Sequence, residues 1–176
     1  VAAEAEERMA ETVGRDLSAL LGADVGVGFL GCDAAMASMR AYEDGFATLE
    51  DMPEAASLAI SQYTEAPDLL RGLARGGEVR FKSHLLRSNC RVTHQPDWGD
   101  VYISVEGDET PDPMSLLQYI VSLRGENHFH EEICELIFKR LQDLLHPRDL
   151  MVMCRYTRRG GIDINPVRAT SAVLVP

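Results

Sequence analysis

The sequence predicts an α+β fold, and three observations lead there. The chain has 176 residues of which 45% are apolar, enough to close a packed core, while a charged fraction of 26% sets it apart from disordered chains. From residue 78 onward the apolar pattern alternates, then takes helical spacing, then alternates again. The resulting order is strand, strand, helix, helix, strand, strand, the pattern of antiparallel hairpins whose helices cover one sheet face.

Each element has its own signal. Met9, Val13, Leu17, Leu20 and Leu21 recur at helical spacing across residues 2–21, with acids early and Gly22 as a stop, which predicts an amphipathic helix. Val25, Val27 and Phe29 alternate with glycines, so a short strand is expected over 24–30. Helix and strand together read as the end of a first unit, residues 1–30. Residues 31–77 are rich in alanine, glycine and acids and hold Pro53 and Pro67, and they read as a connecting segment in which 46–52 and 58–63 are able to add strands. In the unit 78–176, residues 79–86 predict a strand, 88–97 a long polar connection, and Val101, Ile103 and Val105 the second strand of a hairpin. Helices are expected over 113–123 and 130–145, the second carrying Ile133, Leu136, Ile137, Leu141 and Leu144 on one stripe and ended by Pro147. Extended segments at 150–156 and 167–175 close the chain.

Charge and cysteine usage narrow the function. The chain holds 17 basic and 28 acidic residues, a net charge of −11, with no block of lysine or arginine, so direct nucleic-acid binding is not expected. Local arginine clusters still allow a small anionic ligand. Cys32, Cys90, Cys134 and Cys154 lie in separate segments and read as reduced thiols of the cytoplasm. No stretch approaches the ~20 apolar residues of a membrane-spanning helix, and no signal core opens the chain. The first residue is Val1, directly before a helical pattern, from which preceding sequence is expected.

Three segments concentrate polar chemistry. In 88–99, Cys90, His94 and Asp97 share one inter-strand connection: a thiolate can attack an electrophilic carbon and a nearby acid can protonate the product, roles that suit Cys90 and Asp97. A buried cysteine and a turn-forming aspartate suit the same spacing equally, and Trp98 reads as packing. In 127–132, Phe129, His130, Glu131 and Glu132 open a helix. Compensation of the helix dipole explains the two carboxylates. The functional alternative has Glu131 accepting paired N–H donors from a guanine-like edge, His130 adding a polar contact and Phe129 stacking on the ring. In 155–166, Arg158, Arg159, Gly160 and Gly161 offer guanidinium forks and bare backbone to a phosphate, although by themselves they read as a glycine turn with solvated arginines. The pairs His130/Cys134 and Cys90/His94 do not form a recognised zinc pattern, so no metal is expected.

Taken together, the segments SHLLRSNCRVTHQPDWG, YIVSLRGENHFHEEICE and RYTRRGGIDINP resemble the queuosine-pathway nitrile reductases, and specifically the C-terminal module of their two-module form. The resemblance implies a tunnelling fold, ββααββ modules that associate through their sheet edges into homo-oligomers. It implies Cys90 as the nucleophile of a covalent thioimide and Asp97 as proton donor. It further implies Phe129, His130 and Glu131 around a 7-deazaguanine substrate, and Arg158, Arg159 and Gly160 at an NADPH cofactor. The reaction implied is reduction of the nitrile of 7-cyano-7-deazaguanine to a primary amine with two NADPH.

The sequence also departs from that family. Its Glu-Ser-Lys-Ser type motif, which belongs to the first module, is absent here, so the chain reads as a fragment or as a diverged module. Two other readings follow: a module that binds a purine-like ligand or a partner module without turnover, and a cyclohydrolase-like enzyme of the same fold, which requires metal ligands around the cysteine.

Overall fold

A computed structural model of the chain describes residues 2–30 and 42–175, which fall into two compact units, Val1–Asp44 and Gly45–Pro176. Cys32 lies outside the described residues. In the first unit, α1 (Ala2–Leu21) follows the predicted stripe and ends where Gly22 N donates to Ser18 O at 2.9 Å. Residues 24–30 are not a strand. Among the described residues of this unit no neighbouring strand is present to take their backbone hydrogen bonds, so alternation alone does not make one. Val25 N instead bonds the Ser18 side chain at 2.9 Å.

The second unit is a mixed, mainly antiparallel sheet with two helices packed on it. Its elements are β1 (Ala47–Thr48), β2 (Gly72–Leu73), β3 (Gly77–Cys90), β4 (Pro96–Gly107), β5 (Thr110–Pro111), α2 (Pro113–Ser122), β6 (Asn127–His128), α3 (His130–Leu145), β7 (Asp149–Tyr156) and β8 (Val167–Ala169). The strand order is β1-β3-β4-β7-β8, with β6 also parallel to β3, while β2 and β5 form a separate small pair. The six long elements keep the predicted order. The stretch 58–63 forms no strand, and 167–175 is strand only to Ala169 before a 3-10 turn at Ala172–Leu174.

The hairpin β3–β4 is longer and its turn shorter than expected, because the polar residues after Ser88 continue the ladder to Cys90 and it resumes at Pro96. Within it lies one β-bulge. Ser83 faces Val101 and Leu86 faces Gly99, so β3 spends three residues where β4 spends two. The side-chain phase of β3 therefore flips: Phe81 and Ser83 are buried before the bulge, Leu86 and Ser88 after it. Cys90 follows them on the same face, which strict alternation from Phe81 would have denied it.

That face is the helix-covered one. Val101, Ile103 and Val105 of β4 and Leu150, Val152 and Cys154 of β7 are cross-strand neighbours there, all buried in one core with Ile133, Ile137 and Leu141 of α3 and the apolar side chains of α2. Each of these α3 side chains is worth about 2 kcal/mol relative to exposure. Asp112 starts α2 by accepting from Ser115 N at 2.8 Å, with Pro113 in the first turn. His146 in the left-handed region and Pro147 end α3.

Candidate active site

The open end of the helix-covered face is where β3 ends, β4 begins and α3 starts. Cys90 is the last residue of β3 and is half-buried. The chain then turns tightly: His94 N bonds Cys90 O at 2.9 Å, Cys90 N bonds Gln95 O at 2.8 Å, and His94 takes φ 57°, held through Nδ1 by Asn127 Oδ1 at 2.8 Å. This turn directs donors at the sulfur. The Thr93 hydroxyl, followed by the backbone N–H groups of Thr93 and Val92, draws the Cys90 thiol below its ordinary value, against the opposing charge of Asp97. The thiolate is thus favoured by its own turn, a signal that sequence reading missed at Thr93.

Asp97 lies across the ladder from Ser88, two residues before Cys90, so it shares the face of Cys90 as its diagonal neighbour. It is 3% exposed. Its Oδ1 lies 3.3 Å from His130 Nε2 and 2.5 Å from Arg159 Nη2. His130, 12% exposed, lies flat on Tyr156, with ring centroids 3.9 Å apart and planes 8° apart. Burial pushes the Tyr156 phenol far up, so its ring is neutral at all ordinary pH.

The start of α3 meets the turn through Glu132. This carboxylate accepts from Phe129 N at 2.8 Å, from Arg91 Nη1 at 2.7 Å and from His128 Nδ1 at 3.3 Å. The Phe129 N–H, then the charges of Arg91 and His128, hold it below the ordinary carboxylate range. Arg91 in turn lies over the ring of Phe129, which is 44% exposed, at 5.7 Å. Glu131 is exposed and makes no hydrogen bond or ion pair among the described residues. Both acids of the first turn were legible as helix-dipole partners, but which one caps the helix was not.

The segment after β7 returns to the same end. Arg159 and Ile162 exchange backbone hydrogen bonds at 3.1 and 3.0 Å around Gly160 and Gly161, whose φ values of 58° and 84° suit a two-residue hairpin turn. Arg158 pairs with Asp163 at 2.7 Å, while Arg159 reaches Asp97 and also donates to Pro96 O at 3.1 Å. No atom outside the turn lies within 4 Å of where a Cβ would stand on either glycine, so the backbone there is open to a ligand. Trp98, 50% exposed, is on the other face beside Arg87.

The structure thus gathers Cys90, Asp97, His130 and Arg159 at one end of the sheet, with Phe129 and Glu131 at the adjoining helix start and Arg158 and Gly160 on the neighbouring turn. Two of the residues first weighed in metal pairs have other partners here. Cys134 is buried with its thiol directed at Val152 O and Pro166 O, at 3.3 and 3.4 Å, and His94 is engaged by Asn127.

Comparison with known proteins shows what the chain is similar to. Residues 96–173 match the family model described as "QueF-like protein". That stretch is similar to the family over its 78 residues. Two curated relatives, each named "NADPH-dependent 7-cyano-7-deazaguanine reductase", from Acinetobacter baumannii strains SDF and AYE, are 43% identical over 169 residues. The match takes in 94% of this chain and 59% of each relative, so the chain spans about three-fifths of their length. A solved structure titled "Crystal structure of the archaeosine synthase QueF-Like in the apo form" covers 61% of this chain and 96% of its own, at 18% identity and a TM-score of 0.47. The QueF-like match includes Asp97, Phe129, His130, Glu131 and the 158–160 turn, and Cys90 precedes it by six residues in the paired strand.

Proposed function

We propose that this chain is the C-terminal part of a cytoplasmic NADPH-dependent reductase that converts the nitrile of 7-cyano-7-deazaguanine to an aminomethyl group, in queuosine tRNA modification. The observation that carries the reading is the placement of Cys90 and Asp97 as diagonal neighbours on one sheet face, the thiol activated by its turn and the acid contacted by His130. In this reading 78–176 are the catalytic tunnelling-fold module, 1–30 the end of a first module and 31–77 the connection, whose part from Gly45 onward packs with the catalytic module. In this reading the module assembles into a homo-oligomer through its sheet edges.

The chemistry follows from these residues. The Cys90 thiolate forms a C–S bond to the nitrile carbon while one C≡N π bond breaks. The Asp97 proton goes to the nitrile nitrogen, leaving a thioimide and a carboxylate. His130, next to Asp97, is placed to return a proton. Glu131, with no partner among the described residues, would accept two N–H donors from a deazaguanine edge, and Phe129 offers a ring to stack on it. The open glycine turn and the guanidinium groups of Arg158 and Arg159 suit the phosphates of NADPH. NADPH, when bound, supplies hydride for each of the two reductions. Burial of Asp97 and His130 helps exclude water, which would hydrolyse an imine before the second reduction.

One experiment tests this. The chain is incubated with 7-cyano-7-deazaguanine, its intact mass measured, and NADPH oxidation then followed. A mass gain of the whole nitrile that Cys90→Ala abolishes is the expected result, and no adduct even in a parent protein of full length rejects Cys90 as nucleophile. Adduct without NADPH oxidation favours the second reading, a module that binds without turnover. That reading is kept by the absent Glu-Ser-Lys-Ser type motif and by the length the relatives have beyond this chain.

A further inference from the structure

Tyr156 has no part in the chemistry above, yet three features of the fold converge to place it. It is 5% exposed at the end of β7, and its backbone N–H donates to Asn165 Oδ1 at 3.2 Å, which gives the Asn165 of the arginine-glycine segment a task. Its ladder partner on β4 is Gly99. A Cβ there would stand 2.7 Å from Arg155 O and 3.1 Å from Tyr156 Cδ1, so the missing side chain is what lets the tyrosine ring lie where it does. That ring is the flat surface under His130.

His130 needs such a surface. Its Nδ1 is buried without a hydrogen-bond partner among the described residues, so Nε2 against Asp97 is the polar contact that orients the ring. One contact at one ring nitrogen leaves rotation about that contact unrestrained. The stack removes that freedom, because turning the imidazole drives it into the tyrosine face. We infer that Tyr156 is a positioning residue: its buried ring fixes the plane of His130 and so maintains the pairing of His130 with Asp97. The pairing is a property of the fold, while its consequence for proton delivery rests on the reductase reading.

The test compares Tyr156→Phe, which keeps the ring, with Tyr156→Leu, which removes it, each with and without Asp97→Asn, in the whole chain. Histidine ring resonances are recorded by NMR, His130 being assigned with His130→Gln. In the unsubstituted chain and in Tyr156→Phe, Asp97→Asn is expected to move the His130 signals. In Tyr156→Leu the ring-current shift is lost and Asp97→Asn no longer moves them. An equal response to Asp97→Asn in Tyr156→Leu overturns the inference. Tyr156→Met serves in its place if the leucine variant does not fold, judged by Trp98 fluorescence in urea.

A second readout tests the consequence. At saturating 7-cyano-7-deazaguanine, Tyr156→Leu is expected to slow formation of the Cys90 adduct about three- to tenfold with half-saturation little changed, while Tyr156→Phe stays near the unsubstituted rate. An unchanged rate in Tyr156→Leu overturns a role in catalysis. If neither the unsubstituted chain nor a parent protein of full length forms an adduct, the reductase reading is what fails, and the NMR comparison still decides the role of Tyr156.

Discussion

Gly99→Ala adds one methyl group where β4 packs tightly against β7 beside the site. Gly99 is not among the glycines with positive φ, so alanine meets no backbone strain and the effect is steric alone. The added carbon would lie 2.7 Å from Arg155 O, about 0.7 Å inside ordinary contact, and its neighbour is backbone held in the β4–β7 ladder, unable to swing aside. Overpacking of this kind costs about 1–3 kcal/mol. For a unit of this size a loss near 2 kcal/mol lowers Tm by about 8 °C and the urea midpoint by roughly 1 M. The chain has a single tryptophan, Trp98, next to Gly99 in β4, so its fluorescence in urea reports on this unit. Gly45→Ala is the control: it meets only the flexible Arg80 side chain, at 3.4 Å, and is expected to stay within about 0.5 kcal/mol of the parent. A Gly99→Ala chain as stable as Gly45→Ala refutes the steric argument and with it the account of how Tyr156 is seated.

Other outcomes follow from the same geometry. Because the Thr93 hydroxyl is the largest influence lowering the Cys90 thiol, Thr93→Val is expected to move the pH of half-maximal Cys90 alkylation upward, and an unmoved profile contradicts the turn's role. Glu132 is held below the ordinary carboxylate range, so what it contributes is present above that range and lost as pH falls. The difference in urea midpoint between the parent and Glu132→Gln should close between about pH 6 and pH 3, and a constant difference counts against the cap. Burial pushes the Tyr119 hydroxyl, which donates to Glu65, far up. Its folded value exceeds the unfolded one, so stability is full below about pH 10 and declines as pH rises beyond it, a decline that Tyr119→Phe should lessen if denaturation is followed from about pH 9 to pH 12.

The α+β class and the order of the six long elements were legible because burial on one side imposes its period on the residues themselves. α3 begins at His130 and ends at Leu145 as its stripe and Pro147 demand. The chain failed to show its own structure where pairing, not pattern, decides. Val25, Val27 and Phe29 alternate as well as many strands do, yet they form none. Ser88, Asn89 and Cys90 look like loop residues, yet they are paired with Asp97, Pro96 and His128. The candidate residues were found as three polar clusters. The roles of Thr93, Glu132 and Tyr156 within them were not, since a hydroxyl over a sulfur, a carboxylate joining a turn to a helix and a ring under an imidazole leave no trace in spacing.

Amphipathic period, cap residues and prolines act between near neighbours along the chain, and so a linear reading recovers the class, the element order and the segments that hold reactive groups. Which face those groups occupy is settled by a long-range register. One extra residue between Ser83 and Leu86 turns the end of β3 over and brings Cys90 to the side of Asp97. A bulge is chosen by the partner strand and the core it must fill, and those forces exist only once distant segments have met.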